Sequence, residues 1–170
     1  SQKDREYLQE QILKFIQSEF FKKNIISSDV LFLGQEIPIT VNISDNIQID
    51  GTADLVIKKE NQIIIADFKF SRPSNFISPR HEFQLMCYLL GFFQRCDDMI
   101  QQSFQNDLFI FSYALIAFHP FQKVIMKNVS YEEMINFREQ LIQKCIHEDI
   151  KIGEQKNPAT QGSDRILVKG

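Results

Sequence analysis

Asp54, Asp67 and Lys69 are the residues of this chain whose types and spacing are fit for chemistry. Asp67-Phe68-Lys69 ends a run of apolar β-formers, Gln62-Ile63-Ile64-Ile65-Ala66. In a strand, side chains alternate between faces, which predicts Asp67 and Lys69 on one side and Ala66, Phe68 and Phe70 packed on the other. The stretch Ile47 to Ile57 alternates too, with polar residues at even positions from Gln48 to Asp54, so Asp54 is expected on its polar face. If the two stretches pair through a turn at Lys58 to Asn61, Asp54 and Asp67 converge with Lys69 beside them. Two carboxylates in one place repel and raise each other's pKa unless a cation lies between them. Oxygen ligands suit a hard divalent ion such as Mg²⁺, which takes one or two carboxylates plus substrate phosphate. An ordinary Asp67 to Lys69 salt bridge in a structural domain is the competing reading.

Four motifs follow one another between residues 31 and 90: Gly34-Gln35-Glu36-Ile37-Pro38-Ile39, Gly51-Thr52-Ala53-Asp54, Asp67-Phe68-Lys69 and Gln84-Leu85-Met86-Cys87-Tyr88. In this order they resemble the PD-(D/E)XK nuclease superfamily and its RecB-type branch, with an acidic opening strand, G-x-x-D, D-Y-K and Q-x-x-x-Y. The likeness extends to the C-terminal nuclease domain of AddA-type helicase-nucleases. It implies a restriction-endonuclease-like α/β fold, with a mixed central sheet of about five strands flanked by helices on both faces. It implies a metal-dependent DNA nuclease, an exonuclease, working in repair or recombination beside a helicase domain or subunit.

By the same resemblance, Asp54, Asp67 and the Phe68 carbonyl hold Mg²⁺ or Mn²⁺, and Gln84 and Tyr88 position substrate. Lys69 orients or deprotonates a water, or stabilises developing negative charge. Many relatives carry a metal-binding His on the opening helix, and this chain has none there. Either Glu36 takes that position, directly or through water, or the two aspartates and a backbone carbonyl suffice. No C-x₂-C exists to support the iron-sulfur cluster of several RecB-type branches, so none is expected. A nuclease-fold module that binds DNA or serves as a scaffold without cutting is the alternative.

The elements that must position these residues are legible from spacing. Leu8, Ile12, Phe15 or Ile16, and Phe20 predict one amphipathic helix over Asp4 to Lys23. Val30 to Ile43 reads as a strand that Pro38 confines to an edge or a bulge. Ser71 to Pro79 reads as a loop, a flap over substrate. His81 to Arg95 is a helix on which Gln84 and Tyr88 lie one turn apart on a polar stripe; His81 reads as a solvated or hydrogen-bonded helix-start residue rather than a ligand. Leu108 to Phe118 and Phe121 to Val129 form a hairpin around a His119-Pro120 turn. Ser130 and Glu133 open a last helix that turns Met134, Phe137, Leu141 and Cys145 inward. Residues 1–152 make one domain, and 153–170 a polar, weakly ordered tail.

Composition sets the outer bounds. A 170-residue chain, 44% hydrophobic with 16 Phe, predicts one soluble domain, and no apolar run is long enough to span a membrane. No signal peptide is visible. Cys87, Cys96 and Cys145 are odd in number and far apart, which points to free thiols in a reducing compartment, the cytoplasm. A net charge of −3 is unlike a free-standing DNA binder, whose affinity comes from neutralising phosphates. DNA contact is therefore expected from a local patch, Lys58, Lys59, Lys69, Arg72 and Arg80, or from larger partner domains that feed the nucleic acid in.

Overall fold

A computed structural model describes residues 1–70, 78–118, 123–155 and 164–168. Its centre is a mixed sheet in the order β1 (Val30–Ser44), β2 (Ile47–Lys59), β3 (Gln62–Lys69), β4 (Ile110–Ala117) and β5 (Lys123–Val129). Neighbours pair antiparallel except β3 with β4, which run parallel. A parallel pair needs a long crossover, here supplied by α3 (Pro79–Arg95) and α4 (Asp98–Gln105). This is the expected α/β architecture: three strands in meander, a helical crossover, a closing hairpin.

Helices cover both faces of the sheet. On one, α3, α4 and α5 (Tyr131–Gln155) pack over Ile39, Val41, Ile63, Ile65, Phe111 and Tyr113. On the other, α1 (Gln2–Ile16) and α2 (Glu19–Asn24) bring Phe15 and Phe20 against Ile57, Ile64, Ala66, Ile116 and Phe118. The expected single opening helix is two, because Ser18 ends one and starts the other: its hydroxyl donates to the Phe15 carbonyl at 2.6 Å and accepts from the Phe21 amide at 3.3 Å. The apolar row expected to pack inward is half open, with Leu8, Ile12 and Ile16 exposed and Phe15 carrying the contact.

α3 is the opposite case. Ser78 caps its first turn by accepting from the His81 amide, Pro79 occupies the first turn, and nine of its residues from Gln84 to Phe93 are buried. Gly91 lets it lie on β1, since a Cβ there would strike the Ile39 side chain and approach the Thr40 carbonyl at 3.1 Å. The Gln94 amide pairs with the backbone N–H and C=O of Asn42 at 2.9 Å each, so α3 also blunts the outer edge of β1. That edge position is what Pro38 foretold.

The C-terminal stretch departs from the tail reading. α5 runs to Gln155, and β6 (Asp164–Val168) adds to the sheet in parallel with Ile47 to Gly51 of β2. β6 lies along the part of β2 that β3 does not reach, since β3 pairs only with Leu55 to Lys58.

Candidate active site

The space between those two pairings is where the chemistry gathers. Continuing the β2–β3 register from Leu55 and Ala66 would put Asp54 opposite Asp67 as a non-hydrogen-bonded pair and Ala53 opposite Phe68 as the next hydrogen-bonded one, but the pairing stops at Leu55 and Ala66. Each carboxylate instead takes the other strand's amide: Phe68 N–H donates to Asp54 Oδ2 at 2.8 Å, and Asp54 N–H to Asp67 Oδ1 at 3.4 Å. In an extended strand a residue's N–H and C=O share an edge, so the Phe68 carbonyl also faces β2 and Asp54.

Asp67 is 1% exposed, and its Oδ2 is buried with no hydrogen-bond partner. A carboxylate oxygen left so is costly and calls for a ligand. Burial, and then the charge of Asp54, push its pKa from 3.8 up to about 6; the Asp54 amide and Lys69 oppose them. Two carboxylates with one orphaned oxygen fit a hard cation. Among the described residues no group of three His, Cys, Asp or Glu side chains is placed to hold one, so Glu36 does not join the pair.

Glu36 is nonetheless singular. It lies across β1–β2 between the pairs Gln35–Leu55 and Ile37–Ala53, level with Asp54, and its φ of +49° is left-handed, rare for a non-glycine residue. Here both strands exchange faces. Ile49 and Ala53 pack toward α3, whereas Leu55 and Ile57 pack toward α1. The expected single polar face of β2 therefore does not exist: Gln48 and Asp50 lie on one side, braced by the Thr40 hydroxyl at 2.8 Å, while Asp54 belongs to the break. The strands' strict alternation concealed this, because a left-handed Glu leaves no mark in composition.

On α3, Gln84 and Tyr88 lie one turn apart as their spacing foretold, both buried, with Tyr88 within electrostatic reach of Asp67 and Asp54. Gln84 Nε2 donates to Tyr88 Oη at 3.1 Å, and the Thr52 backbone also bonds the phenol. Burial, then the Asp67 charge, push the phenol up to about 12. Lys69 is half-buried and sits within electrostatic reach of Asp67 and of His81 in the first turn of α3. His81 is driven below its ordinary pKa by burial, then by Lys69 and Arg80. Sequence reading gave His81 as a solvated or hydrogen-bonded helix-start residue; it is half-buried, three residues after Ser78, in the turn that faces the end of β3.

The remaining basic residues divide. Arg80 is exposed in the first turn of α3, within electrostatic reach of His81. Lys58 sits beside Cys96 beyond the other end of α3, and Lys59 bonds the Lys23 carbonyl at 2.9 Å, so neither joins the site. Arg72, residues 71–77 of the expected flap and His119 lie outside the described residues, while Ser78 and Pro79, the end of that stretch, belong to the start of α3. No described helix is long and apolar enough to cross a membrane.

No curated protein matches the chain. A solved structure, the crystal structure of SSO0001, aligns at 16% identity and a TM-score of 0.43, over 91% of this chain and 60% of its own. The chain thus spans 60% of that protein's length. The family model described as PD-(D/E)XK nuclease superfamily matches residues 2–155. An acid on each of two strands, a lysine two residues beyond the second, and a match that runs from α1 to the end of α5 place this chain in the PD-(D/E)XK nuclease superfamily.

Proposed function

We propose that this chain is a Mg²⁺- or Mn²⁺-dependent deoxyribonuclease, an exonuclease of the RecB type akin to the AddA nuclease domain. In this reading it works in DNA repair or recombination with a helicase domain or subunit, in the reducing cytoplasm that three free thiols suit. The observation that carries the metal reading is the opened end of the β2–β3 ladder, where Asp54 and Asp67 each take the other strand's amide and Asp67 Oδ2 is buried with no hydrogen-bond partner.

Asp54, Asp67 and the Phe68 carbonyl would hold the cation. Bound there, it supplies Lewis-acid polarisation of a phosphate and a lowered pKa for a water. The Phe68 amide fixes Asp54, and the Asp54 amide fixes Asp67, so neither carboxylate must reorganise when substrate arrives. Lys69, two residues beyond Asp67 on the open end of β3, places a positive charge where the pentavalent phosphorus gathers negative charge; in its neutral form it could instead take a proton from water. Gln84 holds the Tyr88 hydroxyl, and the pair walls the cation side and positions substrate. Glu36, level with Asp54 on β1, completes the shell through water.

Cleavage of end-labelled single- and double-stranded DNA in Mg²⁺ or Mn²⁺ tests the reading. Metal-dependent shortening that Asp67→Asn abolishes supports it. DNA retained without cleavage in either metal would favour the non-catalytic module instead.

A further inference from the structure

Phe70 departs from the pattern that buries its neighbours. The alternation that packs Ala66 and Phe68 toward α1 assigns Phe70 there too, yet its side chain is 67% exposed. Its inner face is held: the ring stacks on Phe118 with centroids 5.2 Å apart and planes 18° from parallel. Phe118 is itself buried and wedged against Phe15 and Phe68. A rigid aromatic surface thus stands open to solvent, one residue beyond Lys69 and beyond the end of the strand that carries Asp67. On the opposite side of that strand end, Lys69 and Arg80 each lie within electrostatic reach of His81. Proteins grip unpaired nucleic acid with open rings and cationic side chains, the ring taking a base and the cations the backbone, and a strand that crosses this end of β3 meets both.

We propose that Phe70 is a stacking platform for an unpaired nucleobase of the strand being cut, which makes the preferred substrate a single strand or a frayed end. The inference rests on the nuclease reading of the same site. A base within a duplex has both faces covered by its neighbours, so the platform takes only a base that has left the stack. Strand residues rise by about 3.3 Å, which puts Phe70 about 10 Å along the chain from Asp67. A strand whose phosphate lies at Asp54 and Asp67 and that crosses this end of β3 carries a neighbouring base past the ring.

The chain contains no tryptophan, so Phe70→Trp would place a single indole at the platform. Its emission is titrated in EDTA, where nothing is cut, with short oligothymidylate, an abasic strand of equal length, and a blunt duplex. Saturable quenching by oligothymidylate, absent with the abasic strand, is expected. Phe70→Leu keeps an apolar contact with Phe118 but has no π face, and should weaken oligothymidylate binding by about fivefold or more, with a smaller loss for the abasic strand. Equal quenching by both strands, or unchanged binding by Phe70→Leu, overturns the platform and leaves Phe70 as a packing residue. Base-dependent quenching in a protein that cuts no DNA would keep the platform and remove the nuclease reading. Cleavage without base-dependent quenching would do the reverse.

Discussion

The two ends of the β2–β3 pair are built from the same two strands and behave oppositely. At one end Val56, Ile57, Ile63, Ile64 and Ile65 make an unbroken ladder, with every side chain buried against a helix layer. At the other, the ladder stops after Leu55 and Ala66, and the two aspartates take the Phe68 and Asp54 amides instead. The sealed end supplies the burial that holds the sheet together. The open end draws on it to keep Asp67 in a place where a carboxylate is costly. A site of this kind needs a strongly paired partner region within a few residues, and the isoleucine run of β3 provides it.

The largest effect should separate the two ends by activity. Asp54→Asn or Asp67→Asn is expected to lower cleavage by roughly 10³-fold, near the level lost with a main charge-stabilising group, whereas Lys58→Met at the sealed end stays within about twofold of the parent. Comparable losses in a cleavage assay would end the distinction. Lys69→Met, which keeps the apolar stem but not the cation, should lower cleavage by roughly 10²-fold while metal still binds. A variant that cuts as fast as the parent returns Lys69 to an ordinary salt bridge with Asp67.

Stability should separate the ends in the opposite direction. Asp67 holds its proton more tightly folded than unfolded, with a pKa of about 6 against 3.8. Between those values the native state binds more protons, so metal-free stability falls as pH rises through that window and stays lower above it. The loss is at most about 3 kcal/mol. Urea unfolding in EDTA at pH 4 and pH 8 should show this loss in the wild type, and Asp67→Asn should lack that share of it. A variant with the wild-type pH slope would place the titration elsewhere.

The smallest effect belongs to Glu36. Its left-handed backbone costs about 1 kcal/mol that glycine does not pay, so Glu36→Gly should raise metal-free stability by up to that amount. If its carboxylate acts on the cation through water, the same change lowers turnover more than Mn²⁺ affinity. Destabilisation together with unchanged turnover would make Glu36 a surface residue.

How much of this was legible follows from the kind of signal each residue leaves. β3 was plain, because a run of β-branched residues ending in an acid and a base has no helical reading. The convergence of Asp54 and Asp67 followed from a short turn and antiparallel register, and Gln84 with Tyr88 from one helical turn. The exchange of faces at Glu36 and Asp54 was not legible, since alternation counting assumes an extended backbone throughout. Lys58 was misplaced for a related reason: four residues from Asp54 is near in sequence but about 13 Å along a strand. β6 was hidden because Asp164 to Val168 is short and sits among polar residues and glycines, and only the unpaired edge of β2 beyond β3 gives it a partner. The half-open face of α1 was unreadable from periodicity, which reports that a helix has an apolar side but not how much of it is covered.

Titration of Mn²⁺ into the metal-free protein at pH 8, where Asp67 is ionised, tests most directly whether the opened end of the β2–β3 ladder is a cation site. Saturable binding that both Asp54→Asn and Asp67→Asn remove, while Lys58→Met retains it, is the expected result. Binding that survives in either Asn variant at the parent affinity, or no binding by the parent itself, would contradict it.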